Sequence, residues 1–273
     1  AANWHKAPKL IKQIEDARAS GMDIAFDRYP YTAFSTGMSV FIPLDYRQGS
    51  TDEIIARLKD EKQSKEIAKY VNSKLEKLGG PKNVMVTSAR LAENRQFVGR
   101  NVEECAARTN LSPWEFMQKM LIDERLSVDI VGFAMNEDNL KMFLSHSLGM
   151  PITDCSMYSP VGKLGKDMPH PRAYGSFPRF VGKYCRDENL MDLSSAIRKC
   201  TSLPASRIGL KERGLLKVGY YADVLVFNPL TIIDKATYSE PHQFAAGINH
   251  IFVNGVWTIA NGVPTGKLGG RTS

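Results

Sequence analysis

Two short apolar runs, each reached from a helical stripe and each ending beside a carboxylate, leave this chain few folds to adopt. Leu10, Ile11, Ile14 and Ala17 recur at helical spacing until Gly21 interrupts them. Met22 to Asp27 then reads as a strand, and Pro30 in Arg28-Tyr29-Pro30-Tyr31 forces the chain out of regular pairing. The same beat returns later. Leu140, Phe143 and Leu144 mark a helix over 137–148, and Met150, Pro151 and Ile152 form an apolar lead that stops at Thr153 and Asp154. A helix followed at once by a short apolar strand is the rhythm of a parallel α/β sheet. In α/β barrels the loops at strand ends carry the chemistry.

Between these beats the character changes. Ser50 with Glu53 makes a capping box ahead of Ile54, Ile55 and Leu58, and Ile67, Val71, Leu75 and Leu78 supply a second apolar stripe. Asn83 to Thr87 reads as a strand. Asn101 with Glu104, and Ser112 with Glu115 ahead of Pro113, cap two further helices. Residues of about 40–136 are therefore expected to form a mainly helical insertion, or lid, with its own small core. Ser127 to Ala134 returns to strand character, Thr32 to Gly37 reads as a small polar loop, and Met191 to Thr201 reads as a helix ended by Pro204. Beyond it, Val224 to Phe227 and the hairpin 248–259, with Asn254-Gly255 as its two-residue turn, predict a short all-β unit. The expected division is 1–203 and 204–273.

Composition narrows the function classes. The 273 residues are 43% hydrophobic and 24% charged, ordinary values for a globular protein. No run of about 18 apolar residues is present, so a membrane partner is not expected. Residues 1–12 lack the apolar region of a signal peptide, and the missing initial Met suggests an incomplete or processed chain. The net charge is +7, but Lys and Arg are dispersed and interleaved with acids, so nucleic acid is not expected either. Four cysteines without a CxxC pair suit reduced thiols and a cytoplasmic location.

The densest chemical signal runs from Pro151 to Arg179. Asp154 closes the strand, a Gly- and Pro-rich stretch follows, and His170-Pro171-Arg172-Ala173-Tyr174-Gly175-Ser176-Phe177 comes next. A carboxylate just past a strand, with an arginine in the next loop, can pair a proton-transferring base with an anion clamp. Cys155 lies beside the acid, but no histidine is placed by sequence to activate it.

These segments, together with Asn3-Trp4, Asp27 to Tyr31, Thr201 to Ala205, Ala222-Asp223, Ala236 to Tyr238 and Val253-Asn254-Gly255, run in an order that resembles the N-acyl-D-amino-acid deacylase (D-aminoacylase) family of the amidohydrolase superfamily. The resemblance implies an α/β fold: the last strands of a metal-dependent hydrolase (β/α)8 barrel with a helical insertion, plus a C-terminal β-sandwich-type domain. It implies hydrolysis of the amide bond of N-acyl-D-amino acids, small-molecule substrates, with Asp154 as general base and then acid. Arg172 is implied as the clamp on the substrate carboxylate, Ser35 as a substrate contact, and Met135 as a residue lining the acyl or side-chain pocket. Tyr31 is implied at the substrate-binding strand end.

The implied cofactor is zinc. Its ligands are expected upstream of Ala1, because His5, His146, His170, His242 and His250 form no HxH motif; only Asp154 offers a weak ligand here. The family usually has Gly after the base, where this chain has Cys155. A chain of this extent is expected to be inactive in isolation. The competing expectations are a non-catalytic amidohydrolase-fold binding or assembly protein and a cyclic-amide hydrolase of the dihydroorotase or hydantoinase kind. Oligomeric state is not set by the sequence.

Overall fold

The computed structural model describes residues 3–271; the chain start at Ala1 lies outside them. Helix α1 (Ala7–Ala19), with proline in its first turn, leads into β1 (Phe26–Arg28), and β2 (Ala33–Gly37) follows. Then come α2 (Thr51–Lys59), α3 (Glu61–Lys77), β3 (Val84–Val86), α4 (Val102–Thr109), α5 (Pro113–Asp123) and β4 (Asp129–Phe133). Helix α6 (Glu137–Ser145) precedes β5 (Gly149–Pro151). After a long loop, α7 (Arg172–Arg179) runs directly into a π-helical segment, Phe180–Asp187, just after Pro178. Helices α8 (Leu193–Cys200) and α9 (Ser202–Arg207) lead to β6 (Val224–Phe227), β7 (Ile248–Val253), β8 (Val256–Ala260) and β9 (Val263–Pro264).

Three sheets result. Strands β1 and β5 pair in parallel, with Arg28 level with Pro151. Strand β4 runs antiparallel between β2 and β3, and β6 to β9 form an antiparallel sheet in chain order. The fold is thus mixed α/β. Residues 33–133 include an antiparallel sheet as well as helices. Met38, Phe41, Leu58, Ile67, Val71, Phe116, Met120 and Ile130, all fully buried, close a core within this segment.

Local rules explain most of these elements. Both capping boxes form: Ser50 and Ser112 accept from the Glu53 and Glu115 backbone amides, and each glutamate bonds back. Asn110 ends α4 in the left-handed region. Glu124 is buried and accepts from Arg90 N, Leu91 N and Asn94 Nδ2, so one carboxylate folds down the loop after β3. Asn254 and Gly255 both have positive φ and turn β7 into β8.

Some expectations are corrected. The strand expected over 22–27 is confined to Phe26–Arg28. Thr32 to Gly37 is not a loop, because Ala33 to Gly37 pair with 129–133. Pro204 does not end α8; it lies in the first turn of α9, where its missing N–H leaves no bond unmade. The residue that breaks the helix is Thr201, with φ −131° and ψ −88°.

A second core joins α6, the π-helical segment and α8 through Leu144, Phe180, Tyr184 and Ala196. Ile232 also enters it, from the connection between β6 and β7. That connection reaches back and supplies Asp234 and Tyr238 to the site described next.

Candidate active site

Because β1 and β5 are parallel, the segments that follow them leave the same end of the sheet. One carries Tyr29 and Tyr31, the other Asp154. Asp154 itself takes the left-handed conformation, with φ 46°. Aspartate tolerates that region better than most residues. The left-handed position is therefore the acid and not Cys155 behind it.

Arg172 is the first residue of α7, not a loop residue. His170 and Pro171 start the turn: the Arg172 backbone N–H donates to His170 Nδ1 at 3.0 Å. His170 Nε2 donates to the Ala33 carbonyl at 3.1 Å, which fixes the ring tautomer. Tyr31 and Tyr238 stand edge-on to this imidazole at 5.2 and 5.1 Å. Burial, and then the Arg172 charge, push His170 down to about 3, so the ring is neutral.

The Arg172 guanidinium, in a side chain only 6% exposed, comes within 3.0 Å of Asp154 Oδ2, whose side chain is 63% exposed. The approaching atom is Nη1, an ion-pair contact without hydrogen-bond alignment, and Nε has no hydrogen-bond partner among the described residues. A buried charged donor without an acceptor is costly. The guanidinium also lies over the Tyr29 ring, 4.5 Å from its centroid. The acid is paired but open to solvent, and the cation is buried but under-bonded.

Tyr31 sits elsewhere. It is 3% exposed. Its hydroxyl donates to Asp234 Oδ2 at 3.0 Å, which also pairs with Arg179 Nη1 at 3.1 Å. Arg179 in turn donates through Nε to the Pro30 carbonyl and lies over the Tyr31 ring. Gly175 of α7 is pressed against this group; a Cβ there would stand 2.3 Å from the Tyr31 hydroxyl. Tyr31 therefore braces α7, with its hydroxyl buried and bonded to Asp234.

Met135 follows β4 and is tied to Thr32 by a backbone bond of 3.0 Å. The Tyr29 hydroxyl and Arg28 both approach its sulfur. Met135 lines a cavity of about 320 Å³ with Trp4, Thr32, Leu78, Phe133 and Ala134. A second, polar cavity of about 450 Å³ lies among Ser88, Arg90, Arg95, Ser127, Asp129 and Asp167. Neither is lined by Asp154 or Arg172. Ser35 pairs with Val131 in β2. By strand alternation it shares the face of Ala33, which packs toward Phe133 and Tyr238. Asp154, Arg172 and Met135 are thus linked through Tyr29, while Ser35 lies on the adjoining sheet face.

The sequence reading did not single out Tyr29, Asp234 or Arg179. The contact between Tyr29 and Arg172 joins residues 143 positions apart, and Asp234 comes from another sheet connection. Only the Arg28-Tyr29-Pro30-Tyr31 run hinted at them. Burial holds the Cys155 thiol up despite the pull of Arg172, so it stays protonated and is no nucleophile at neutral pH. His242 is satisfied structurally, between Tyr174 Oη and the Asp167 carbonyl. Among the described residues no three His, Cys, Asp or Glu side chains converge as a metal site. The residues present therefore do not make up a zinc centre, and Asp154 stands alone as a donor. No helix among them is long and apolar enough to cross a membrane.

Residues 164–263 match a family model described as the amidohydrolase family. The chain is 31% identical to N-acyl-D-glutamate deacylase of Alcaligenes xylosoxydans xylosoxydans over 98% of its own length and 45% of that protein's. It is 36% identical to the D-aminoacylase of the same organism over 64% of its length and 34% of that protein's. It superposes with a TM-score of 0.72, at 28% identity, on the crystal structure of N-acyl-D-glutamate deacylase from Bordetella bronchiseptica complexed with zinc and a phosphonate inhibitor. That match covers 96% of this chain and 46% of the other. The chain spans less than half the length of these relatives and corresponds to their C-terminal portion.

Proposed function

We propose that this chain, related to the C-terminal portions of N-acyl-D-amino-acid deacylases in the amidohydrolase family, supplies the proton-transfer and carboxylate-binding half of an enzyme that hydrolyses the amide bond of N-acyl-D-amino acids. The products are a carboxylate and a free D-amino acid. In this reading β1 and β5 are neighbouring strands of a (β/α)8 barrel, residues of about 40–136 are an insertion over its mouth, and β6 to β9 belong to a small β-domain of the sandwich type. The division falls near 203. Strand ends in such barrels are where reacting groups collect.

One observation carries the reading: a nearly buried guanidinium reaches an exposed carboxylate through Nη1 at 3.0 Å while its Nε has no hydrogen-bond partner among the described residues. Arg172 presents a planar fork to the α-carboxylate of the substrate, which fixes its orientation as well as neutralising its charge. When that carboxylate arrives, Asp154 gives up its contact with Arg172. It is then free to take a proton from the attacking water and to return it to the leaving amine nitrogen. Binding and base release are coupled, because one cation serves both anions in turn. Tyr29 walls the clamp, Met135 and Ser35 line the acyl or side-chain region, and Tyr31 acts from below through Asp234 and Arg179. Substrates are small molecules; neither nucleic acid nor membrane enters the scheme, and the location is cytoplasmic. Zinc, the metal of the solved relative, would be held by side chains outside this chain.

The test uses the whole protein and N-acetyl-D-amino acids. Asp154→Asn should abolish turnover while substrate still binds, since the clamp is intact. Arg172→Ala should chiefly raise KM, by roughly 100-fold for a charge-assisted pair of about 3 kcal/mol. Wild-type turnover by Asp154→Asn would sink the assignment.

A further inference from the structure

The polar cavity of about 450 Å³ holds charges that the hydrolase scheme leaves unused. Three segments wall it. The turn after β3 supplies Ser88, Arg90 and Arg95, the start of β4 supplies Asp129, and the loop between β5 and α7 supplies Asp167. Each wall is fixed from behind. Buried Glu124 accepts from Arg90 N and Asn94 Nδ2, which sets the turn that carries both arginines. Ser88 Oγ donates to Asp129 Oδ2 at 3.1 Å and accepts from the Asp129 N–H at 3.0 Å. The Asp167 carbonyl accepts from His242 Nε2 at 2.8 Å, and the next N–H, that of Met168, donates to the Thr87 carbonyl at 2.9 Å.

Two cations and two anions thus line one opening, yet none of the four forms an ion pair among the described residues. The Arg90 guanidinium reaches only Ser127 Oγ, at 3.4 Å. The charges still feel one another: burial raises the Asp167 carboxyl, Arg95 lowers it, and Asp129 raises it. Two neighbouring carboxylates favour a cation between them, and a guanidinium fork favours a carboxylate. We infer that this cavity binds a free α-amino acid, with its ammonium between Asp129 and Asp167 and its carboxylate on Arg95 and Arg90. A zwitterion matches walls whose charges sum to zero; a simple anion or cation leaves one pair of them unanswered. In the hydrolase reading the released amino acid is such a ligand, and the N-acyl substrate is not, because acylation removes the ammonium. The link to product rests on that reading; the binding does not. Neither Asp154 nor Arg172 lines the cavity, and Asp167 belongs to the loop that follows Asp154. The site is a separate product sensor on that loop.

The experiment titrates the whole protein by calorimetry with glycine and D-alanine, and in parallel with N-acetylglycine, which lacks the ammonium, and ethylamine, which lacks the carboxylate. The protein carries Arg172→Ala, so that binding at the clamp does not register. Both amino acids should bind, and each half-ligand should bind at least about tenfold more weakly, the loss expected for one charge-assisted contact. Adding Arg95→Gln or Asp167→Asn should each weaken glycine by about tenfold. Arg95→Lys, which keeps the charge and loses the fork, should fall between and guards against a misfolded Gln variant. No binding of either amino acid, equal binding of N-acetylglycine, or affinity unchanged in both variants overturns the assignment and leaves the deacylase reading standing. Amino-acid binding that the two variants weaken, in a protein that turns over no N-acyl-D-amino acid, upholds the site and overturns its role as a product sensor.

Discussion

Replacing Asp234 by alanine probes what holds α7 and its first residue, Arg172, in place. The Asp234 side chain is 5% exposed and accepts from the Tyr31 hydroxyl and from Arg179. Without it, the Tyr31 hydroxyl keeps only a long 3.5 Å approach to the Pro171 carbonyl. Arg179 keeps its bond to Pro30 but loses its acid. An orphaned buried hydroxyl costs about 1–3 kcal/mol. Breaking a buried ion pair costs about 3–5 kcal/mol. The Arg179 side chain is 26% exposed, so water recovers part of its share, and the lower ends apply. The sum expected is about 4 kcal/mol, a large fraction of the roughly 5–15 kcal/mol that holds a typical domain folded. With a urea slope of about 2–3 kcal/mol per molar, the unfolding midpoint followed by circular dichroism should fall by about 1.5 M. Asp234→Asn keeps an acceptor for Tyr31 and should lose about half as much. A midpoint for Asp234→Ala within about 0.3 M of wild type would refute the view that Tyr31, Asp234 and Arg179 brace α7.

His170 makes stability depend on pH. It stays neutral in the fold down to about 3, whereas the unfolded chain takes up the proton near the ordinary value of 6.5. The unfolded state then binds more protons between those values, so this contribution is full above pH 6.5 and is lost as pH falls, by up to about 1.4 kcal/mol per unit. His170→Gln should be less stable at pH 7 and show a shallower decline between pH 6.5 and 4 in urea titrations; parallel declines would count against a neutral buried ring. Gly247, with φ 81°, sits where a Cβ would stand 2.4 Å from Ile232 N. Gly247→Ala should destabilise the β6–β7 connection by about 2 kcal/mol or more, since left-handed backbone strain of about 1–2 kcal/mol is joined by a backbone clash. Thermal unfolding that matches wild type would show that the loop relaxes freely.

Residues within a few positions of one another made much of the molecule legible in advance. Ser50 with Glu53 and Ser112 with Glu115 set two helix starts, because the bonds that cap a helix join neighbours in the chain. Asn254-Gly255 set the β7–β8 turn for the same reason. The apolar lead to Asp154 marked a strand, although β5 stops at Pro151, three residues before the acid expected to close it. The Thr32–Gly37 stretch was opaque, since nothing in its small polar residues announces a partner strand almost a hundred positions later. Arg172 read as a loop residue because the helix it opens contains Gly175 and Pro178, poor helix formers whose positions are settled by packing.

The amino-acid order by itself determined the alternation of helices and short strands, the caps, the hairpin turn, and the presence of an acid and an arginine eighteen residues apart. Only the tertiary structure decided that those two charges meet. It also decided that Tyr29 stands against Arg172, that Asp234 steadies the neighbouring Tyr31 and Arg179 from another part of the chain, and that Arg28 forms no ion pair among the described residues. Local hydrogen bonds and periodicity are written within a turn or two of sequence. Burial and charge pairing depend on which distant segments a parallel strand pair and a returning loop bring together.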